Sequence, residues 1–385
     1  MGLSWDKLLE FTKGEVKEEG REIARLKRRC DSGEARTDEM LELAKHLLRR
    51  KEAGKSEKLM RELLARADVT EDTLTEICSL FEDTGNYEAA FEGYQRYREM
   101  VSCNAFPIYR MGRLLELQGR LDEAILLHRE AVAVDPENPE CYYRLGVACT
   151  KSRRFSEAEE NYRKAIEIDP THSKSYTNLG YILDLNGKRS AALQQFRKAV
   201  QHNPRSAEAH FNLGALYGEE GDKDLAIKEF RIGLELDPSC VEGHYNLGIA
   251  LINEGHLDEA LEEFSRILRL ESDNVNALFY KGLIYYRKGL YARAIKHLQQ
   301  AVHLNPGNST ILYYVGECFN KLEQPDKAKE YFKRVAEINP DDQRVYFSMG
   351  IACEKQDDKS TAREWYRMAA AGAPTVLRET HRISG

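Results

Sequence analysis

From residue 105 onward, apolar residues recur at helical spacing inside a longer period. In 241–274, Tyr245, Leu247, Leu251 and Ile252 keep helical intervals, and Ala260, Leu261, Phe264 and Leu268 resume them after a polar break. Gly255 stands in that break, where a helix-ending residue is expected. The pattern predicts two antiparallel helices per segment, here called A and B.

The longer period is 34 residues. Gly112, Gly146, Gly180, Gly214, Gly248, Gly282, Gly316 and Gly350 mark it, and Ala124, Ala158, Ala192, Ala226, Ala260, Ala294, Ala328 and Ala362 keep the same step. Pro136, Pro170, Pro204, Pro238, Pro306, Pro340 and Pro374 close the units, with Ser272 the exception. Small residues at the eighth and twentieth positions let two helix axes approach closely. Aromatic residues at the twenty-fourth (Tyr162, Phe196, Phe230, Phe264, Phe332, Tyr366) are expected to fill the space between helix pairs. The Asp-Pro or Asn-Pro ending stops helix B, because the residue before proline is pushed out of the α region. Two weaker copies come first. Residues 71–104 carry Cys78 and Ala90 at the small positions, and 37–70 carry Ala44 and Ser56. Ten units are therefore expected: 37–70, 71–104, 105–138, 139–172, 173–206, 207–240, 241–274, 275–308, 309–342 and 343–376.

The pattern L-G-x-x-[YL]…A-x-x-x-F…P on this period resembles the tetratricopeptide repeat (TPR) family, over about 340 of the 385 residues. The resemblance implies an all-α fold: a right-handed α-solenoid of antiparallel helix pairs, the TPR superhelix, with A helices lining its concave side. It implies far less about function, since one repeat architecture serves many partners.

Outside the units stand 1–36 and the tail 377–385, too short for a catalytic domain. The first reads as a charged helix with Trp5, Leu9, Val16, Ile23, Leu26 and Cys30 along one stripe, a cap over the first unit. The short polar tail barely suffices to cover the last helix, so the end near Trp365 and Tyr366 is expected to be partly exposed, and self-association through the ends follows as a reading.

Composition narrows the partners. A net charge of −7 gives no general reason to expect nucleic acid or an anionic membrane. No apolar run approaches the roughly 18 residues of a membrane span, and the start shows no secretory pattern. Gly2 lacks the Ser or Thr that myristoylation wants, since Asp6 stands there. Eight Cys form no C-x-x-C pair, so neither zinc nor a dithiol site is suggested. A cytoplasmic location is expected.

Within the TPR framework, positions 2, 5, 6, 9, 12 and 13 of each unit tend to face the groove. Position 5 is aromatic in Tyr109, Tyr143, Phe211, Tyr245, Phe279, Tyr313 and Phe347, which reads mainly as packing. Position 6 runs Arg110, Arg144, Asn178, Asn212, Asn246, Tyr280, Tyr314 and Ser348. An amide offers both donor and acceptor, so Asn178, Asn212 and Asn246 could hold the backbone of an extended peptide without reading its side chains. Such a ladder resembles that of the TPR arm of O-GlcNAc transferases and of the peroxisomal import receptor. Arg110, Arg113, Arg144, Lys151 and Lys174 cluster toward the N-terminal part of the groove, where Tyr181 also lies. Glu208, Glu219 and Glu242 surround the Asn row. Tyr280, Tyr286, Arg287, Tyr314, Lys321, Arg344 and Lys355 make a basic, aromatic stretch, and Arg and Tyr are the residue types that anchor interfaces. The two-carboxylate clamp of chaperone-tail-binding TPR proteins is not present in any three consecutive units.

Other chemistry is thin. His210 and His244 occupy position 4 of adjacent units, a packing slot, and read as satisfied half-buried histidines rather than a metal pair. Cys149 and Cys353 read as small hydrophobes. Asn308-Ser-Thr is a formal glycosylation sequon without a secretory signal to use it. No phosphate loop, nucleophile elbow or paired acid/base set is found, so no enzyme, cofactor or metal is expected. The sequence predicts a non-catalytic scaffold that holds an extended peptide segment of a partner protein. Two further readings are a substrate-presenting arm for a glycosyltransferase-like system and a scaffold that assembles through its ends.

Overall fold

The computed structural model describes residues 20–101 and 103–371. Within them the chain is an all-α solenoid: a helix at 20–31 (α1), then ten helix pairs. The pairs fall into two compact units, Met1–His202 and Asn203–Gly385. In the first, the A helices are α2 (Thr37–Arg49), α4 (Glu71–Asp83), α6 (Ala105–Leu117), α8 (Pro139–Lys151) and α10 (Ser173–Leu185). Their B partners are α3 (Ala53–Ala65), α5 (Tyr87–Met100), α7 (Leu121–Val134), α9 (Phe155–Ile168) and α11 (Arg189–His202). In the second, the A helices are α12 (Ala207–Glu220), α14 (Val241–Asn253), α16 (Val275–Arg287), α18 (Ser309–Lys321) and α20 (Gln343–Glu354). Their B partners are α13 (Lys223–Leu236), α15 (Leu257–Leu270), α17 (Tyr291–Leu304), α19 (Pro325–Ile338) and α21 (Lys359–Ala371). Within each unit every B helix packs on its own A helix and on the next one.

Each A helix begins on a cap at the last position of the preceding period. Asn104, Asn138, Asn274 and Asn308 accept backbone N–H groups of Phe106, Glu140, Ala277 and Ile311 at 2.9, 3.1, 2.9 and 3.2 Å. Such a bond satisfies a donor that the first turn leaves open. The sequon residue Asn308 thus has a structural duty. The A-to-B turn puts position 15 in the left-handed region in all ten pairs. Six are glycines, from Gly85 (φ 75°) to Gly289 (φ 73°), while Lys51, Arg153, Glu323 and Asp357 adopt φ of 61°, 59°, 56° and 59°.

Close approach inside a pair has a specific form. Where position 24 of helix B is aromatic, as at Tyr162 and Phe264, its ring packs against the glycine at position 8 of its own helix A. A Cβ on Gly146 would stand 2.6 Å from Tyr162, and one on Gly248 2.8 Å from Phe264. The alanines at position 20 are buried beside them. The aromatics therefore fill space made within each pair, a sharper placement than the expected space between pairs.

At the start, α1 lays Ile23 and Leu26 into a core with Met40, Leu43 and Met60. Trp5, Leu9 and Val16 lie outside the described residues, as does the tail 377–385. In the last pair, Trp365 stacks on Tyr346 with ring centroids 6.0 Å apart, and Phe347 is 55% exposed.

Candidate functional site

Positions 2, 6, 9 and 13 of an A helix follow i, i+4, i+7, i+11 spacing and form one stripe. Positions 4, 7, 8 and 11 turn the other way, into the core: in α14 these are His244, Leu247, Gly248 and Leu251, all buried. On that helix the stripe reads Glu242, Asn246, Ile249 and Asn253, none of them buried. On this helix the stripe is the side turned away from the core.

In the first unit the stripe is occupied by its own ion pairs. Arg110 donates to Glu82 at 2.6 Å and to the Tyr94 hydroxyl at 2.9 Å, with its guanidinium 5.9 Å from the Phe106 ring centre. Arg113 lies 3.9 Å from the same carboxylate. Arg144 donates to Glu140 at 2.6 Å and lies over Tyr143. Lys151 donates to Glu116 at 2.7 Å, and the other oxygen of Glu116 bonds buried His128 Nε2 at 2.8 Å. Burial alone would raise the Glu116 pKa, but these bonds outweigh it and hold the carboxyl below its ordinary value. His128 occupies the position-24 slot, against Gly112. The basic residues of this unit thus join successive A helices or brace their own. Asn178 has a polar neighbour, since burial raises the Tyr162 hydroxyl pKa and the Asn178 amide beside it pulls it back down. Tyr181 remains 46% exposed, with Lys174 exposed on the same stripe.

In the second unit the stripe is less self-satisfied. Asn212 and Asn246 are half-buried at equivalent places on α12 and α14, and neither amide has a partner among the described residues. Tyr280 stacks on Phe264 at 5.1 Å with planes 9° apart, and its oxygen accepts from the Tyr245 hydroxyl at 3.4 Å. Burial pushes the Tyr280 phenol up to about 12. Tyr314 meets Phe279 at 5.8 Å and Tyr286 at 5.5 Å. These rings tie α14 to α16 and α16 to α18. Arg287 and Lys321 are exposed and form no ion pair among the described residues. Lys355 donates to the Asn320 carbonyl. Arg344 is paired with Asp342 at 2.7 Å and covers Tyr313. Glu317 sits beside Tyr286, whose hydroxyl donates to it at 3.5 Å, and its second oxygen is buried without a partner.

The two position-4 histidines are built identically. Nε2–H of His210 donates to the Pro204 carbonyl at 3.1 Å, and Nδ1 lies in hydrogen-bond contact with a Glu229 carboxylate oxygen at 2.6 Å. His244 repeats this with Pro238 at 3.0 Å and Glu263 at 2.6 Å. With both ring nitrogens engaged, neither can ligate a metal. Among the described residues no cluster of His, Cys, Asp and Glu is arranged to hold one.

Sequence reasoning passed over Glu82 and Glu116, which engage stripe residues, and read Tyr162 as packing alone. The signal was present: Glu82 and Glu116, both at position 12, stand 28 and 35 residues before their basic partners, close to one period.

Family models of the tetratricopeptide repeat match 112–152, 139–172, 161–194, 185–221, 207–240, 245–309 and 285–374. The chain belongs to the tetratricopeptide repeat family. By family and fold it is a helical-repeat scaffold for protein interaction. No curated protein sequence matches it significantly. Among solved structures it is similar to YrrB, described as a TPR protein with an unusual peptide-binding site, at 23% identity over 48% of this chain and 95% of that one, with a TM-score of 0.44. It is also similar to the C-terminal part of a TPR repeat-containing protein from Cytophaga hutchinsonii, at 17% identity over 63% of this chain and 99% of that one, TM-score 0.52. The Cut9–Hcn1 complex of the APC/C matches at 16% identity over 83% of this chain and 64% of that one, TM-score 0.49. The Cytophaga likeness is one of fold. No described helix is long and apolar enough to cross a membrane.

Proposed function

We propose that the protein is a non-catalytic scaffold that holds an extended segment of a partner protein along the A-helix stripe of its second unit. The observation that carries this reading is the pair of unengaged amides, Asn212 and Asn246, at the same register on neighbouring A helices. Each presents a donor and an acceptor, the complement of a peptide group. A half-buried amide with no partner in its own fold is available to one that arrives. Each hydrogen bond contributes about 1 kcal/mol net, so two amides give register and modest affinity, and neighbouring side chains supply the rest.

The test is a titration with peptides selected from a random library on the intact protein. Asn212→Ala/Asn246→Ala is expected to weaken binding by roughly 30-fold or more, from about 2 kcal/mol of lost bonds. Unchanged affinities for every selected peptide would overturn the reading. Asn178→Ala is the comparison, because that amide lies beside the Tyr162 hydroxyl and outside the second unit.

A second reading, self-association through the C-terminal end, is favoured by the exposed Phe347 beside Tyr366, ring centroids 5.4 Å apart. A monomeric mass by light scattering at high concentration would remove it.

A further inference from the structure

The stripe of the second unit is graded in charge from one end to the other. At position 2 the five A helices carry Glu208, Glu242, Asn276, Thr310 and Arg344, and at position 13 Glu219, Asn253, Arg287, Lys321 and Lys355. All ten residues are exposed. Two rows at opposite ends of the helices thus run from acid to base in the same direction.

Most of this charge is uncompensated. Glu208 and Glu242 have no cationic partner among the described residues, and Arg287 and Lys321 have no anionic one. Lys355 touches only a backbone carbonyl and so keeps its charge. The counter-charges present are few: Asp342 offsets Arg344, and Glu317 is drawn in against Tyr286. The first unit is the contrast, since there Glu82 and Glu116 neutralise Arg110 and Lys151 across successive A helices. Exposed charges within a Debye length of about 8 Å still act on a ligand lying over them, and complementary fields fix register and orientation more than raw affinity.

We propose that this surface takes a bipolar segment of a partner protein, with Lys or Arg over α12–α14 and Asp or Glu over α16–α20. The inference rests on the reading that Asn212 and Asn246 hold the segment's backbone. Adjacent A helices lie roughly 10 Å apart, which sets Glu242 on α14 and Lys321 on α18 about 20 Å apart across the helices, and their places at opposite helix ends add about 16 Å along the axis at roughly 1.5 Å per residue. The resulting separation of about 26 Å is covered by roughly eight residues of extended chain. The segment therefore places its basic and acidic clusters about eight residues apart, and the grading lets it dock in one direction only.

The experiment uses four fluorescein-labelled synthetic 14-residue peptides on a Ser/Ala background, titrated by anisotropy against the full chain at low and at physiological salt. Two carry paired Lys and paired Glu about eight residues apart, in either order. The third scrambles the same composition, and the fourth is neutral. One of the two ordered peptides is expected to bind at least tenfold more tightly than the scrambled one, with the advantage shrinking as salt rises. Arg287→Glu/Lys321→Glu, two exposed side chains with no ion pair among the described residues, is expected to abolish that advantage. Equal binding of all four peptides, still weakened by Asn212→Ala/Asn246→Ala, would overturn the bipolar inference and leave the backbone-holding reading in place. No binding of any peptide would overturn both.

Discussion

An Asn before Leu-Gly recurs at one interval, yet the copies do not share the same surroundings. The ring at position 24 one unit earlier sets Asn178 apart, because Tyr162 brings a hydroxyl close to the amide, while the residue at the corresponding place before Asn246 is Phe230. The sequence exposes both letters, but the consequence lies in their meeting across a period, which a reading of single columns misses. The turn at position 15 is easier to read, since glycine marks it in six units, and the structure extends the same geometry to four others. A side chain held in the left-handed region costs about 1 kcal/mol or more relative to glycine. Arg153→Gly is accordingly expected to stabilise the fold by about 0.5–1 kcal/mol in urea denaturation, against the usual entropic penalty for adding glycine. A destabilised variant would show that Arg153 contributes contacts that outweigh its backbone strain.

Helices and their pairings were the most legible part of the chain. Helical spacing, a small residue at position 8 and Pro at position 32 specify two helices that cross closely, and the period then repeats the solution. The forces joining one pair to the next were less visible, because they mix apolar packing with buried polar links. The Glu116–His128–Lys151 link is the clearest. Its carboxyl is held below the ordinary carboxylate value, so its contribution to stability is fully present above that value and is lost as pH falls through the folded-state pKa. Stability of the first unit should therefore decline below about pH 4.5. Glu116→Gln, which cannot take up that proton, is expected to flatten part of the decline while lowering stability at neutral pH. Thermal melts of both proteins from pH 3 to pH 7 check this, and parallel curves would show that Glu116 does not titrate differently on folding.

At the scale of the whole chain, the repeat period foretells a quasi-one-dimensional protein in which each pair leans mainly on its neighbours. The division into two compact units after His202 has no counterpart in the spacing, which passes through that point without a change of step. Nor does spacing reveal that Arg110, Arg144 and Lys151 of the first unit are paired with carboxylates while Arg287 and Lys321 of the second form no ion pair among the described residues, since that depends on which carboxylates come within reach. Acid and base are sorted along the second unit in a way that net charge, at −7 for the chain, averages out of sight.

The stacking of Trp365 on Tyr346 has a practical outcome. Tryptophan occurs twice in the chain, at 5 and 365, so a Trp5→Phe protein would carry a single indole, seated in the final helix pair. Among the described pairs the last packs on a neighbour at one side only, so it is expected to open before the interior does. Indole emission in such a protein is expected to shift to longer wavelength at lower urea than the loss of helical circular dichroism. Coincident transitions would mean that the last pair melts with the rest. Fluorescence of this protein would then report the fraying of one end, and a midpoint taken from it would understate the stability of the remaining helices.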